Sequence, residues 1–234
     1  PTVPLLAIPA RVFATSDTIV AGAMLHHFGE HAISQAELRW TLRVGGQNMS
    51  SGTLAARDVP VGTVTGFGDI SVPLQAVPAG SAVDLEIALV GSDIRNVYPL
   101  RVFAPATVTA PPPDVILTGD WTASKSALAA GKRVIFLAHM AGDKDNAGLA
   151  AWAPLYWSVP FFPGQGKRTL GLAVRAEQPV FAGFPTADWG DWQWHAICEG
   201  ARGFDLTGLP PQAWRPMVQP VTDFHYNRLL GTLF

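Results

Sequence analysis

Cysteine is almost missing from this sequence. Cys198 is its one copy in 234 residues, so no disulfide can form within the chain, and packing alone must hold its layers together. Charge is sparse as well. Only 15% of the residues are charged, and 16 Lys and Arg against 18 Asp and Glu leave a net charge of −2. That balance offers no basic footprint, which sets nucleic acid aside as a partner. No apolar run approaches the roughly 20 residues of a membrane-spanning helix, so no membrane partner is expected. The opening Pro1-Thr2-Val3-Pro4 has neither the basic start nor the cleavage pattern of a secretory signal. The expectation is a chain that begins partway through a longer protein.

The motifs of several chemistries are missing too. No Gly-x-Ser-x-Gly or Gly-x-Cys-x-Gly elbow occurs, which removes the usual strained setting for a nucleophile. Cys198 falls late in a predicted helix, the wrong end of the dipole for a reactive thiolate, and is expected to be inert. Gly164-Gln165-Gly166-Lys167 lacks the Lys-Ser/Thr ending of a phosphate loop and follows no predicted strand, so it reads as a turn. His26, His27 and His31 gather near a strand end, but no Cys or Asp stands at ligand spacing. Neither a metal nor a cofactor is expected.

What the sequence does hold is 20 prolines and 23 glycines, the punctuation of short elements. Through residue 104 it reads as short strands: Thr18–Phe28, Ala36–Val44, Ser50–Ala56, Thr63–Leu74, Ala82–Val90 and Asn96–Phe103. Alternation is plain in 36–43, where Leu38, Trp40 and Leu42 share one face against Glu37, Arg39, Thr41 and Arg43. Such spacing predicts an all-β immunoglobulin-like sandwich over residues 1–104, with Trp40 in its core. Residues 105–113 end in Pro111-Pro112-Pro113 and form a proline-rich linker, extended and semi-rigid. From 114 the texture changes. The run Asp114–Thr118, a helical stretch Ser124–Ala130 closed by Gly131, and the run Arg133–Ala138 spell a βαβ unit. Further apolar runs at Thr169–Val174, Met217–Val221 and Leu229–Phe234 are candidate strands, so residues 114–234 are expected to form an α/β domain on a parallel sheet.

One stretch of that second domain carries most of the chemistry. Between Phe181 and Gly200 lie Trp189, Trp192 and Trp194, with Asp188, Asp191, Gln193 and His195 beside them. Asp188 or Asp191 is placed to cap a helix from about Trp192 to Glu199, with Gly200 as its stop. On that helix Trp192 shares a face with Ala196, and Trp194 shares one with Cys198. Indole faces beside polar groups suit a sugar ring, although large aromatics serve more often as core. Trp192, above a small residue, is the expected core ring, and Trp189, next to Gly190, the exposed one. Trp189, Trp194, Trp157, Asp188 and His195 are the candidate carbohydrate-binding residues. Glycoside hydrolysis needs two opposed carboxylates across a cleft. Asp188, Asp191 and Glu199 are the acids nearest the cluster, but two of them are candidate caps and nothing marks the third as a proton donor. No catalytic residue is assigned. A small hydrolase working through His139, Asp143 or His195 is the enzyme-class alternative, and it lacks a matching constellation.

An ordered set of motifs in the second half adds a resemblance. It comprises Trp152-Ala153-Pro154-Leu155-Tyr156-Trp157-Ser158, Phe162-Pro163-Gly164-Gln165, Thr169-Leu170-Gly171-Leu172 and Gln178–Thr186. Trp192-Gln193-Trp194, Arg215–Val221 and Asn227–Phe234 complete it. The set resembles the C-terminal accessory region of large bacterial glycoside hydrolase family 2 enzymes, the family of β-galactosidases, β-glucuronidases and β-mannosidases. The likeness is strongest from Trp152 to Phe234. It implies an immunoglobulin-like domain followed by a flavodoxin-like or amidotransferase-like α/β domain. It also implies that the catalytic carboxylates sit elsewhere, on a (β/α)₈ barrel of about 250 residues that this chain is too short to hold. The expected role is a non-catalytic accessory module whose partner is the rest of a larger glycoside hydrolase, with a free-standing carbohydrate-binding protein as the alternative. For the parent enzyme a periplasmic or extracellular setting is expected.

Overall fold

The computed structural model describes residues 1–107, 110–137, 140, 147–149, 169–198, 201–205, 210, 216–222 and 230–231. The chain divides into two units, Pro1–Thr107 and Val108–Phe234.

The first unit is built from eight strands in two sheets. Strands β1 (Thr2–Ala7), β3 (Thr18–His27) and β6 (Thr63–Pro73) form one sheet in the order β1-β3-β6. The other runs β2-β8-β7-β4-β5, from β2 (Val12–Ala14), β8 (Arg95–Phe103), β7 (Ser81–Leu89), β4 (Ile33–Val44) and β5 (Gln47–Val59). All pairings are antiparallel except β2 with β8. Period-two alternation decides the inner faces. Ile19, Ala21, Ala23 and Leu25 of β3 are buried together with Leu38 and Leu42 of β4, and with Val83, Leu85, Ile87 and Leu89 of β7. Trp40 is half-buried against this core. A polar tie crosses it: the hydroxyl of Tyr98 accepts the backbone N–H of Leu6 at 2.9 Å and the Asn96 amide at 3.1 Å.

The β3–β6 ladder shifts register between Ala23 and Met24, which pair with Gly68 and Gly66 and leave Phe67 as the extra residue. The bulge needs a positive φ, and Gly68 supplies it at +98°. Phe67 is turned into the core by the insertion, 4% exposed.

His27, a residue of the histidine group considered above as metal ligands, is structural. It is 3% exposed, with Nε2 2.8 Å from the carbonyl of His31 and Nδ1 2.8 Å from the Thr2 hydroxyl. A carbonyl only accepts, so Nε2 carries a proton, and Nδ1 lies within hydrogen-bond reach of the Thr2 hydroxyl. Both ring nitrogens are thereby engaged. A Cβ on Gly29 would stand 2.6 Å from Cε1 of this anchored ring. Gly29→Ala is therefore expected to cost about 1–3 kcal/mol of stability in denaturant melts, as overpacking against a fixed side chain does.

The second unit departs from the expected fold. Strands β9 (Val115–Thr118) and β10 (Arg133–Phe136) do pair in parallel across helix α1 (Trp121–Ala129). Asp120 caps that helix by accepting from the N–H groups of Thr122 and Ala123. Gly131, at φ +73°, turns the chain out of it. The parallel sheet goes no further among the described residues. β11 (Ala147–Leu149), β13 (Arg202–Asp205) and β15 (Leu230–Gly231) form an antiparallel three-stranded sheet, and β12 (Thr169–Val174) with β14 (Val218–Thr222) an antiparallel pair. Besides α1, the only α-helix among the described residues is the four-residue α2 (His195–Cys198). The flavodoxin-like or amidotransferase-like α/β domain expected over 114–234 is thus overturned: the unit is dominated by short antiparallel sheets. Short apolar runs predict strands without predicting their partner or direction, and the runs at 169–174 and 217–221 found each other.

Candidate functional site

The aromatic stretch is organised by β12. Its alternation sends Leu172 and Val174 inward, 0% and 5% exposed, with Val218 and Pro220 of β14 beside them. Gly171 and Ala173 face the other way, and their β14 partners Val221 and Gln219 share that outer face. Residues 188–190 dock along β12 as a short extra edge. The N–H of Val174 donates to the carbonyl of Asp188 at 2.8 Å, and that of Gly190 to the carbonyl of Leu172 at 2.9 Å. Trp189 is bridged to Ala173 and therefore stands on the outer face.

There it has a seat made by small residues. A Cβ on Gly171 would meet Cε3 and Cζ3 of Trp189 at 3.6 Å, so the six-membered ring of the indole lies against the bare glycine. The ring is 62% exposed. Trp40 uses the same device in the first unit, where a Cβ on Gly52 would come within 2.6 Å of its Nε1. That indole is half-buried, whereas Trp189 keeps an open side.

Trp194 does not join it, and its assignment as a carbohydrate platform is corrected here. It is 5% exposed and packed edge-on between Phe181 and Phe184, with ring centroids 5.8 and 5.0 Å away. Its Nε1–H donates to Thr186 Oγ1 at 2.9 Å. With Leu172, Val174, Phe181, Cys198 and Val218 it is core. The expectation that Trp192 is buried also fails, because Trp192 is 55% exposed and Ala196 is exposed with it. The cause is the local winding. Trp192–Trp194 is a 3₁₀ turn capped by Asp191, whose carboxylate accepts from the Gln193 N–H at 3.0 Å, and it passes straight into α2. Trp194 and Cys198 then face inward as the i, i+4 pair, and Trp192 turns out to lie beside the His195 ring at 5.9 Å.

Asp188 and His195 are exposed, whereas Gln193 is buried and donates from Nε2 to the Pro185 carbonyl at 2.9 Å. Trp157, His139, Asp143 and Glu199 lie outside the described residues. Sequence reasoning missed the seat itself: Gly171, Ala173 and Gln219. The signal was present in Gly171-Leu172-Ala173-Val174, where one face carries almost no side chain.

Burial pushes the Cys198 thiol up to about 11. At neutral pH it is a protonated core residue, without the thiolate that a nucleophile requires. Because the folded value lies above the unfolded one, this group's contribution to stability is complete below pH ~8.5 and fades as pH rises toward 11. Native protein at pH 8 is accordingly expected to resist alkylation by iodoacetamide, with labelling appearing only in denaturant. Rapid labelling of the folded chain would contradict the burial.

Among the described residues, no three His, Cys, Asp or Glu side chains gather as a metal site, and no helix is long and apolar enough to cross a membrane. Residues 116–234 match the family model described as Domain of unknown function (DUF8487), and residues 17–104 match that of Domain of unknown function (DUF8488). No curated protein matches the chain. Among solved structures it is similar to the crystal structure of Spo0M, sporulation control protein, from Bacillus subtilis, at 14% identity and a TM-score of 0.35. That match covers 44% of this chain and 50% of the other.

Proposed function

The chain belongs to the family described as Domain of unknown function (DUF8487), and from its geometry we propose a non-catalytic carbohydrate-contacting module in which Trp189 is the platform. The observation that carries this reading is the seat of Trp189, an indole resting on Gly171 with its other side open. A sugar's C–H face is weakly positive and the indole face negative, so the two stack while the hydroxyls look for polar neighbours. Gln219, on the same outer face and opposite Ala173, is the nearest such neighbour in the ladder. Asp188 and His195 are exposed on either side of Trp189 along the chain. The resemblance to the tails of glycoside hydrolase family 2 enzymes supplies the larger setting: a module attached to a barrel that performs the hydrolysis, supporting or extending its cleft.

The test is a titration of the chain with a panel of soluble oligosaccharides, followed by tryptophan fluorescence. Trp189→Ala is expected to abolish the response and to leave stability within about 0.5 kcal/mol, as surface changes do. Absence of any response from the unaltered chain would defeat the carbohydrate reading. The accessory role is tested separately by the mass of the native polypeptide. A value far above 24.9 kDa fits a module of a larger enzyme, and one near it favours a free-standing binding protein.

A further inference from the structure

The outer face of the five-stranded sheet holds a second candidate site, independent of the tryptophan cluster. A groove of about 390 Å³ lies over β4, β5 and β7 and ends against the turn at 90–92. Small-molecule sites begin at about 300 Å³. The register stacks Arg39, Thr41 and Arg43 of β4 beside Ala88, Glu86 and Asp84 of β7. Glu86 and its cross-strand neighbour Thr41 are 8% and 6% exposed, whereas Arg39 and Asp84 on the same face are open. Its carboxylate is met by Arg43 Nη1 at 2.8 Å and by Arg95 Nε at 3.9 Å. Arg43 is further fixed by Asn48, whose Oδ1 accepts from Nε at 3.0 Å. That pair forms a rigid floor.

Arg39 is the group left over. It lines the same groove, is exposed, and has no hydrogen-bond or ion-pair partner among the described residues. Its cross-strand neighbours are Thr53 and Ala88, neither of which can neutralise it. Two guanidiniums and one carboxylate line the groove, leaving one positive charge. Outside the groove, Asp84 faces Arg43 across the ladder, and among the described residues Arg95 approaches only the Glu86 carboxylate. We propose that this groove binds a small molecule through one carboxylate, held by the free guanidinium of Arg39, with a short aliphatic portion against Ala88 and Val90. The planar fork of arginine matches a carboxylate in two parallel hydrogen bonds. A dianion is disfavoured, because its second charge would face Glu86 across the floor.

The full chain labelled with ¹⁵N, titrated with butyrate at constant ionic strength, tests this. The Arg39 Nε–H signal and the amides of 88–92 are expected to shift together and saturate, while butyramide, of the same shape without charge, shifts neither. Arg39→Gln is expected to weaken butyrate by about tenfold or more, the loss of one charge-assisted pair. Ser51→Glu, which places a competing carboxylate in the groove and keeps Arg39, is expected to do the same. Both positions are exposed, so both variants fold. Shifts that fail to saturate, that persist unchanged in Arg39→Gln, or that are stronger with sulfate than with butyrate would each overturn the proposal.

Discussion

Trp194→Ala is expected to lower the stability of the second unit by about 3–5 kcal/mol, the range for truncating a buried aromatic. The ring fills the space between Phe181 and Phe184 and touches a small core of only a few large side chains. Its loss also removes the indole N–H bond to the Thr186 hydroxyl. Neither Trp189→Ala nor Trp192→Ala carries such a cost, because both rings are more than half exposed. Guanidinium melts of the three variants, followed by far-ultraviolet circular dichroism, make the comparison. A larger loss at 189 than at 194 would reverse the division between platform and core drawn here.

The second large effect belongs to the first unit. Leu38 is fully buried in β4, paired across to Leu54 on one side and Leu89 on the other. Leu38→Ala removes buried methyl groups and leaves a cavity that strands on both sides cannot close, so a cost of about 2–5 kcal/mol is expected. Leu38→Met keeps the volume and is expected to cost less than about 1.5 kcal/mol. Equal losses for the two would mean that shape rather than volume governs this site. Arg39, the next residue, points to the other face, and removing its charge is expected to leave the melt within about 0.5 kcal/mol of the original.

The strands of the first unit were largely legible because each is long enough to show its period. Leu38 and Leu42 against Arg39 and Arg43 is a local pattern, and the face each residue takes follows from the pleat. The short opening strands at Thr2–Ala7 and Val12–Ala14 were missed. They carry too few residues for alternation to stand out beside three prolines in the first nine positions. The βαβ connection from 115 to 136 was legible for a similar reason: a capped helix between two apolar runs admits few local arrangements.

Other features were settled only by the tertiary structure. An apolar run such as 169–174 states that it will be buried, but its partner and direction depend on which other strand reaches it. That partner was β14, in antiparallel register, and a parallel-sheet domain gave way to antiparallel sheets. The tryptophans follow the same logic. Their number and polar company are written in the sequence, as is a cap at Asp188 or Asp191, of which the folded chain uses Asp191. Which indole is buried depends on a 3₁₀ turn that advances Trp192 and Trp194 differently from an α-helix, and on the edge pairing that sets Trp189 over Gly171. Local period can be read from neighbours in the chain. The phase of that period against a core is fixed by residues far away in sequence, and only the folded chain brings them together.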